Sequence, residues 1–236
     1  MYLLEVNDIT SGYEGVQVLW GVNLRLEAGK LTTLVGSNGV GKTTLLSTMM
    51  GLLRPWQGTV TFAGQDVTSL PAYARAKVGM VLVPEGRQLF TEMTVLENLE
   101  MGAFSGRARG TFSRNLEIVF GLFPRLQERA RQKAGTLSGG EQQMLAVARG
   151  LMAEPKILML DELSLGLSPV LALTLFESLT RLKKTGLTML LVEQNVTMAL
   201  AVSDYAYVLA EGRVHLEGEA RALMKNEEIK RTYLGI

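Results

Sequence analysis

A glycine-rich loop ending in a lysine and two threonines has the residue types and spacing to hold phosphate. It follows an apolar stretch, Leu31 to Val35, and opens a helix-like segment, Thr43 to Met50. Glycines allow tight turns, and the backbone N–H groups at a helix N-terminus bind anions. Lys42 can reach the β- and γ-phosphates of a nucleotide, and the Thr43 hydroxyl can hold Mg²⁺. The stretch therefore predicts a phosphate site made of Gly36, Ser37, Asn38, Gly39, Val40, Gly41, Lys42, Thr43 and Thr44.

Two carboxylates follow a second apolar stretch, Ile157 to Leu160. In a parallel sheet, ligands bind beyond the carboxyl ends of the strands. Asp161 is then placed to hold Mg²⁺ through water, and Glu162, which faces elsewhere, can accept a proton from an attacking water. The alternative is a solvated acidic loop, which the phosphate loop elsewhere in the chain disfavours.

A second anion-binding pattern lies at Leu137 to Gln143, where Ser138 can cap a helix and Gly139 and Gly140 leave its N–H groups open. The alternative is an ordinary capped loop. One triphosphate needs only one such site in its own chain. The second site is useful if it covers the γ-phosphate held by another copy, which predicts a head-to-tail pair closed by a two-fold axis.

Bulk composition excludes several classes of protein. The chain has 236 residues, 24 basic and 23 acidic side chains, and a net charge of +1, so its charge does not argue for nucleic-acid binding. It has no cysteine, which fits a reducing compartment. The N-terminus does not resemble a signal peptide. The longest apolar runs are far shorter than the roughly 20 residues that a membrane helix needs, so we expect no membrane span.

Hydrophobic periodicity predicts strands and helices in alternation on both sides of a purely helical stretch. The alternation predicts a parallel sheet covered on both faces, and the stretch at about 86–150 predicts a helical lobe inserted into this α/β core. A turn is expected at 11–15 and a helical tail at 219–235. The predicted strands are 3–9, 18–26, 31–35, 58–64, 80–83, 157–160, 187–192, 206–209 and 214–216. The predicted helices are 43–53, 71–77, 95–104, 112–123, 142–152, 169–184 and 195–202.

The three motifs, in this order and spacing, resemble the ATPase subunit of an ATP-binding cassette (ABC) transporter, and the resemblance covers residues 1–236 as one domain. It implies a P-loop NTPase (RecA-like) core with an antiparallel β-subdomain and an inserted α-helical subdomain. ATP and Mg²⁺ are the implied cofactors. The resemblance further implies that Tyr13 stacks on adenine, with a surface tyrosine as the alternative, and that residues 164–168 form the loop between protomers.

Three positions depart from the general ABC pattern. Glu85 stands where the family has the glutamine that senses Mg²⁺ and the γ-phosphate, which adds a third carboxylate near the metal. Gln194 replaces the switch histidine; it can donate an N–H to phosphate but cannot carry a proton. Leu163 replaces proline and is expected to loosen its turn. The expected catalytic residues are Glu162, Gln194 and Lys42, and the expected metal ligands are Thr43, Glu85 and Asp161.

The segments 84–90, 164–169, 192–195 and 233–235 resemble the second ATPase subunit of branched-chain amino-acid importers, and urea and related amide importers share much of this pattern. The resemblance implies several partners: a second ABC ATPase or second copy, a membrane permease, and indirectly a periplasmic solute-binding protein. The permease would dock a short helix in a groove near residues 85–100, for which Met93, Leu96 and Leu99 are candidates unless they pack inside the lobe. It also implies a peripheral position on the cytoplasmic face of the membrane. A non-transport ABC protein and a nucleotide-gated module without turnover remain alternatives.

Overall fold

Two β-sheets with helices packed on them make up the part of the chain that the structure, a computed structural model, describes: residues 1–104, 106–229 and 231. The strands are β1 Tyr2–Tyr13, β2 Val16–Glu27, β3 Leu31–Val35, β4 Gln57–Phe62, β5 Gln65–Asp66, β6 Met80–Val83, β7 Ile157–Asp161, β8 Thr188–Glu193, β9 Tyr205–Ala210 and β10 Arg213–Glu219. The helices are α1 Lys42–Met50, α2 Ala72–Val78, α3 Val95–Gly102, α4 Gly106–Arg109, α5 Phe112–Leu122, α6 Pro124–Glu128, α7 Gly139–Met152, α8 Pro169–Lys183, α9 Val196–Val202, α10 Ala220–Leu223 and α11 Glu227–Ile229, with a 3₁₀ turn at Ala134–Thr136.

The larger sheet has the strand order β10-β9-β3-β8-β7-β6. Its strands pair in parallel except for β10, which runs antiparallel to β9. β3, β7 and β8 are buried along their whole length, as expected for strands covered on both faces. Because these three lie side by side and run the same way, their carboxyl ends meet at one edge of the sheet. The predicted α/β core is confirmed.

The smaller sheet is antiparallel, with the order β2-β1-β4-β5, which confirms the expected β-subdomain. The predicted turn at 11–15 is wrong in its extent, because Ser11 to Tyr13 belong to β1 and Tyr13 pairs with Val16. Only Glu14 and Gly15 turn the chain, both at positive φ, as in two-residue hairpins. The sequence does not predict β5, because two residues are too few to show alternation.

Helices α3 to α7 form the stretch between β6 and β7, and no strand lies within residues 84–104 or 106–156. α7 begins at Gly139 rather than at the predicted Gln142, because Ser138 caps it with its hydroxyl. The short helices α4 and α6 fall outside the predicted helices, since neither is long enough to show helical periodicity. That the whole chain is one domain with a helical subdomain at about 86–150 stays a prediction.

The C-terminal end of α1 is fixed by one buried arginine. The Arg75 guanidinium donates hydrogen bonds to four backbone carbonyls, at distances of 2.6 to 2.9 Å. Two of these, Thr48 and Met49, are in the last turn of α1, where a positive charge also meets the negative end of the helix dipole. Burial lowers the pKa of Arg75. The arginine therefore holds the helix whose other end carries the phosphate loop.

Within the described part of the predicted tail at 219–235, two short helices, α10 and α11, stand in place of one. Residue 230 and residues 232–236, which include the 233–235 motif, lie outside the described residues. His215 is exposed on β10, and its Nε2 lies 2.6 Å from Glu228 Oε1. Among the residues described, no helix has the length and apolar character to cross a membrane.

Candidate nucleotide site

The glycine-rich loop connects the buried end of β3 to the first residue of α1. Two of its glycines are required by their surroundings. Gly41 has φ 107°, in the left-handed region, and a Cβ there would lie 2.9 Å from Leu19 Cδ2. A Cβ on Gly36 would lie 2.4 Å from the carbonyl oxygen of Leu209. The loop can therefore approach the neighbouring strands only because these positions lack side chains.

Lys42 is buried and folded back onto its own loop. Its ammonium donates to the carbonyl oxygens of Gly36 at 2.8 Å and Ser37 at 3.0 Å. Its Nζ also lies 3.3 Å from Glu162 Oε1, in an ion pair whose side chains are only 4% and 9% exposed. These three oxygens match the three protons that an ammonium can donate. To bind a phosphate, Lys42 must give up at least one of these three contacts.

Asp161 is buried at the end of β7 and faces the phosphate loop. Its Oδ2 accepts a hydrogen bond from the Thr43 hydroxyl at 3.4 Å, and its Oδ1 is buried with no hydrogen-bond partner. Burial, and after it the charges of Glu162 and Glu85, raises the pKa of Asp161 to about 6. An unpaired carboxylate oxygen beside a threonine hydroxyl fits a divalent cation, which would supply the missing partner.

The metal site is not a cage made of protein alone. Within residues 1–104, 106–229 and 231, no group of three histidine, aspartate or glutamate side chains lies close enough to hold an ion. Mg²⁺ is commonly bound by one or two protein oxygens together with water and substrate phosphates. Thr43 and Asp161 suit that arrangement. Glu85 lines the same cavity but is exposed, and its role as a ligand stays a prediction.

Glu162 and Gln194 meet directly at the carboxyl ends of β7 and β8. The Gln194 amide donates from Nε2 to Glu162 Oε2 at 2.7 Å. Glu162 itself has φ 47°, in the left-handed region, and its N–H donates to the Val192 carbonyl. The Glu162 carboxylate contacts Lys42, whereas that of Asp161 contacts Thr43.

These side chains surround one cavity of about 450 Å³, which is lined by Val18, Asn38, Gly39, Gly41, Lys42, Thr43, Thr44, Glu85, Glu162, Leu165 and Gln194. Tyr13, at the end of β1, has 48% of its surface exposed, so its ring is available for stacking. A larger cavity, of about 950 Å³, lies elsewhere, between β2, β9 and α9, and contains none of the predicted site residues. Size alone therefore does not identify the site.

The second anion-binding pattern is formed but separate from this cavity. Ser138 caps α7 in a capping box with Glu141, and Ser138 and Gly139 are exposed. Gly140 is buried, and a Cβ there would lie 2.7 Å from Leu171. Of the described residues that line the phosphate cavity, none belongs to this helix start. The structure thus places the two anion sites apart within one chain.

Comparison with known proteins agrees with this geometry. The family model described as ABC transporter matches residues 19–164. The chain belongs to the ABC transporter family. It is an ATPase coupled to transport. Both the family and the P-loop NTPase fold expected from the motifs are therefore confirmed.

Three relatives of this ABC ATPase are informative. It is 41% identical to the high-affinity branched-chain amino acid transport ATP-binding protein BraG of Pseudomonas aeruginosa, covering 99% of this chain and 100% of BraG. It is 38% identical to the probable branched-chain amino acid transport ATP-binding protein LivF of Archaeoglobus fulgidus, with 99% of each covered. It is 32% identical to the lipopolysaccharide export system ATP-binding protein LptB of Haemophilus influenzae, covering 100% of this chain and 98% of LptB.

Solved structures match the whole ABC ATPase. An ATP-binding cassette of an ABC transporter in an ADP conformation has a TM-score of 0.85 and 29% identity, covering 100% of both chains. A bacterial ABC transporter cassette solved as a dimer has a TM-score of 0.79 and 27% identity, covering 92% of this chain and 99% of the other. Nucleotide binding by this ABC ATPase follows from its family.

Two polar residues near the site are not predicted from the sequence. Arg87 donates to the side-chain oxygens of Gln142 and Gln143 on α7, and so ties the segment after Glu85 to the helix that Ser138 caps. Glu193, the last residue of β8, is buried. The sequence gives one signal for each: a charged residue close to a position that the family pattern marks. Arg87 is two residues after Glu85, and Glu193 comes directly before Gln194.

Proposed function

We propose that this ABC ATPase powers an importer for branched-chain amino acids. The support for this solute is the higher identity to BraG and LivF than to LptB, over essentially the whole chain. The support for ATP hydrolysis at this site is the convergence of Lys42, Glu162 and Gln194 on one cavity. Asp161 lies beside it, hydrogen-bonded to the Thr43 hydroxyl that lines the cavity. The sequence patterns around Glu85 and Gln194 point the same way.

In the proposed site, Lys42 binds the β- and γ-phosphates and the loop N–H groups surround them. Thr43 and Asp161 hold Mg²⁺, with Glu85 nearby, and the ion neutralises phosphate charge when bound. Glu162 orients the attacking water and accepts its proton, while Gln194 donates an N–H toward the γ-phosphate. Positioning and electrostatics supply most of the catalysis in phosphoryl transfer. Tyr13 stacks on the adenine.

The proposed working unit is a head-to-tail pair, made with a second ABC ATPase or a second copy of this chain. Ser138, Gly139 and Gly140 of one protomer then face the γ-phosphate bound by the other. The separation of the two anion sites within one chain supports this arrangement, because a single nucleotide cannot use both. Hydrolysis removes the bridging phosphate and lets the pair open, and this movement drives the permease.

The proposed permease contact is the groove near residues 85–100. Leu99 does not belong to it, because its side chain is fully buried in the core. Met93 and Leu96 are partly exposed and remain candidates. A permease partner places this ABC ATPase at the cytoplasmic face of the membrane, and a periplasmic solute-binding protein acts only indirectly. Nothing in the net charge of +1 argues for nucleic acid.

The pairing can be tested by crosslinking, because the chain has no native cysteine. One preparation carries Asn38→Cys and the other Ser138→Cys, both with Glu162→Gln to prevent turnover. The two are mixed with ATP, with and without a candidate partner ATPase. A crosslinked dimer that depends on ATP supports the proposal. No crosslink under either condition refutes the head-to-tail arrangement.

The solute can be tested by reconstitution with the permease and binding protein of a branched-chain amino-acid importer. Uptake of leucine, isoleucine or valine that requires ATP, and that Glu162→Gln abolishes, supports the proposal. Urea uptake, or activity only with a lipopolysaccharide exporter, would assign a different solute. Wild-type protein without ATPase activity would contradict the enzymatic role itself.

A further inference from the structure

Glu193 is a buried carboxylate to which the proposed reaction assigns no task. It ends β8, and only 2% of its surface is exposed. Both of its oxygens accept from Ser164, which donates its N–H to Oε1 at 2.9 Å and its hydroxyl to Oε2 at 2.7 Å, and the Gln194 backbone N–H also interacts with the carboxylate. Within the described ranges, no cation forms an ion pair with it. Burial raises the pKa of Glu193, against the effect of the Ser164 hydrogen bonds. Burying a carboxylate without a cationic partner costs free energy, which suggests that Glu193 has a specific role.

The bond between Glu193 and Ser164 is part of a ladder that joins the ends of β7 and β8. Glu162 donates its N–H to the Val192 carbonyl at 2.9 Å, and Gln194 donates to the Glu162 carboxylate at 2.7 Å. Val192 and Gln194 thus both contact Glu162, and Glu193 between them contacts Ser164. The middle contact is the only one of the three that reaches Ser164.

Ser164 begins the loop 164–168, which the family resemblance assigns to the contact between protomers. The loop continues through Leu165, half of which is exposed, and Gly166, at φ 72°. It ends at Ser168, which caps α8. A shift of Ser164 relative to β8 would therefore move the whole loop relative to Gln194.

We propose that Glu193 is a positioning residue that fixes the loop 164–168 to the phosphate-facing Gln194. Loss of the γ-phosphate then moves the switch residue and the contact loop together. This inference rests on the proposed function, because it takes Gln194 as phosphate-facing and the loop as part of the protomer contact. Glu193 itself touches neither nucleotide nor water, and acts through Ser164 and its chain neighbour.

A carboxylate suits this task better than an amide. Ser164 presents two donors, and a carboxylate meets each with an acceptor oxygen. A glutamine would present one oxygen and one NH₂ group, so the Ser164 hydroxyl would have to turn from donor to acceptor, and both hydrogen bonds would lose their charged partner. Leu163, just before the contact, is fully buried, so the turn is held from both sides even without the proline that the family has there. That Leu163 loosens the turn stays a prediction.

The test uses Glu193→Gln, Ser164→Ala and the double variant in the full-length protein, with wild type alongside. Each is measured for kcat and KM in steady-state ATP hydrolysis, for the Kd of ATP, and for Tm. We expect Glu193→Gln to lower kcat about 10- to 100-fold, the range that misplacing a catalytic group produces, with the Kd of ATP changed less than about threefold. Ser164→Ala should lower kcat less, and the double variant should be no slower than Glu193→Gln, because both changes break one contact.

Asp204→Asn is the matched control. This carboxylate also joins a strand end to its neighbours, accepting from the Leu31 N–H and from Lys183, but it is outside the site. It should lower Tm and leave kcat unchanged. The inference is overturned if Glu193→Gln or Ser164→Ala lowers Tm with wild-type kcat, or if their effects on kcat multiply in the double variant. If Glu193→Gln does not fold, Ser164→Ala still decides. Wild type without ATPase activity would instead overturn the proposed function.

Discussion

Replacing Glu162 by glutamine should tighten nucleotide binding as well as stop hydrolysis. The Lys42 ammonium is held by two loop carbonyls and by the Glu162 carboxylate, 3.3 Å away. Phosphate can compete for Lys42 only by replacing part of this shell. Since the carboxylate is the only charged member, removing its charge should make the lysine easier to release. Both side chains are over nine-tenths buried, so water screens the pair poorly.

The size of the effect can be bounded from the geometry. Two unit charges 3.3 Å apart interact by about 5 kcal/mol at an effective dielectric constant of about 20, which is an upper limit because desolvation opposes it. A hydrogen bond to a charged group contributes about 1.5 to 3 kcal/mol net. At about 1.4 kcal/mol per factor of ten, the Kd should fall roughly tenfold to a hundredfold.

Binding of ADP distinguishes the release of Lys42 from the loss of repulsion between Glu162 and the γ-phosphate. A carboxylate near the γ-phosphate would also repel ATP, so tighter ATP binding alone is ambiguous. ADP lacks the γ-phosphate but still needs Lys42 for its β-phosphate. Titration calorimetry of wild type and Glu162→Gln with ADP should show the gain, while Glu128→Gln, which breaks an exposed ion pair with Arg125, should not. An ADP Kd within twofold of wild type would refute the reasoning.

Three further predictions concern single side chains. Arg75→Met should lower the free energy of unfolding in urea by about 3 kcal/mol or more, because four buried carbonyls lose their donor; a loss under about 1 kcal/mol would contradict this. Glu85→Gln should keep ATP binding but change the Mg²⁺ concentration needed for hydrolysis, because one carboxylate near Asp161 is removed; identical Mg²⁺ titrations would count against it. Tyr13→Ala should weaken ATP by about 1 to 3 kcal/mol through lost stacking while Tyr13→Phe should not; equal Kd values for the alanine variant would show that the ring is only a surface residue.

Sequence motifs predicted those parts of the site whose functional residues follow one another in the chain. The phosphate loop, the carboxylates at the end of β7 and the cap of α7 are each contained in a few consecutive residues, so the sequence predicts them directly. The extent of β1 and β2 is less local. Tyr13 looks like a turn residue beside Glu14 and Gly15, and only its pairing with Val16 places it in the strand.

Hydrophobic periodicity also cannot show whether the apolar face of a helix packs against the protein's own core or is free to bind a partner. Leu96 and Leu99 share the helical spacing of α3, yet one is partly exposed and the other fully buried. Both fit a groove for a permease helix when judged by sequence. The structure separates them because α3 packs on α7, and Leu99 is among the residues of the core between them. A helix face can bind a partner only through the residues that are not already packed in the protein's own core.

The contacts that the sequence could not predict join residues far apart in the chain, and they are the ones that determine the resting state of the site. Lys42 and Glu162 each belong to a recognisable motif. The motifs predict how each residue acts on a nucleotide, but not that the two form an ion pair with each other. In the structure each is the other's partner, and Gln194 donates to the second oxygen of the carboxylate. A phosphate that takes the place of Glu162 beside Lys42 also frees that carboxylate. Binding and the positioning of the proposed base are coupled by this one ion pair, and the coupling follows from sheet order, which places β7 beside β8 and β8 beside β3.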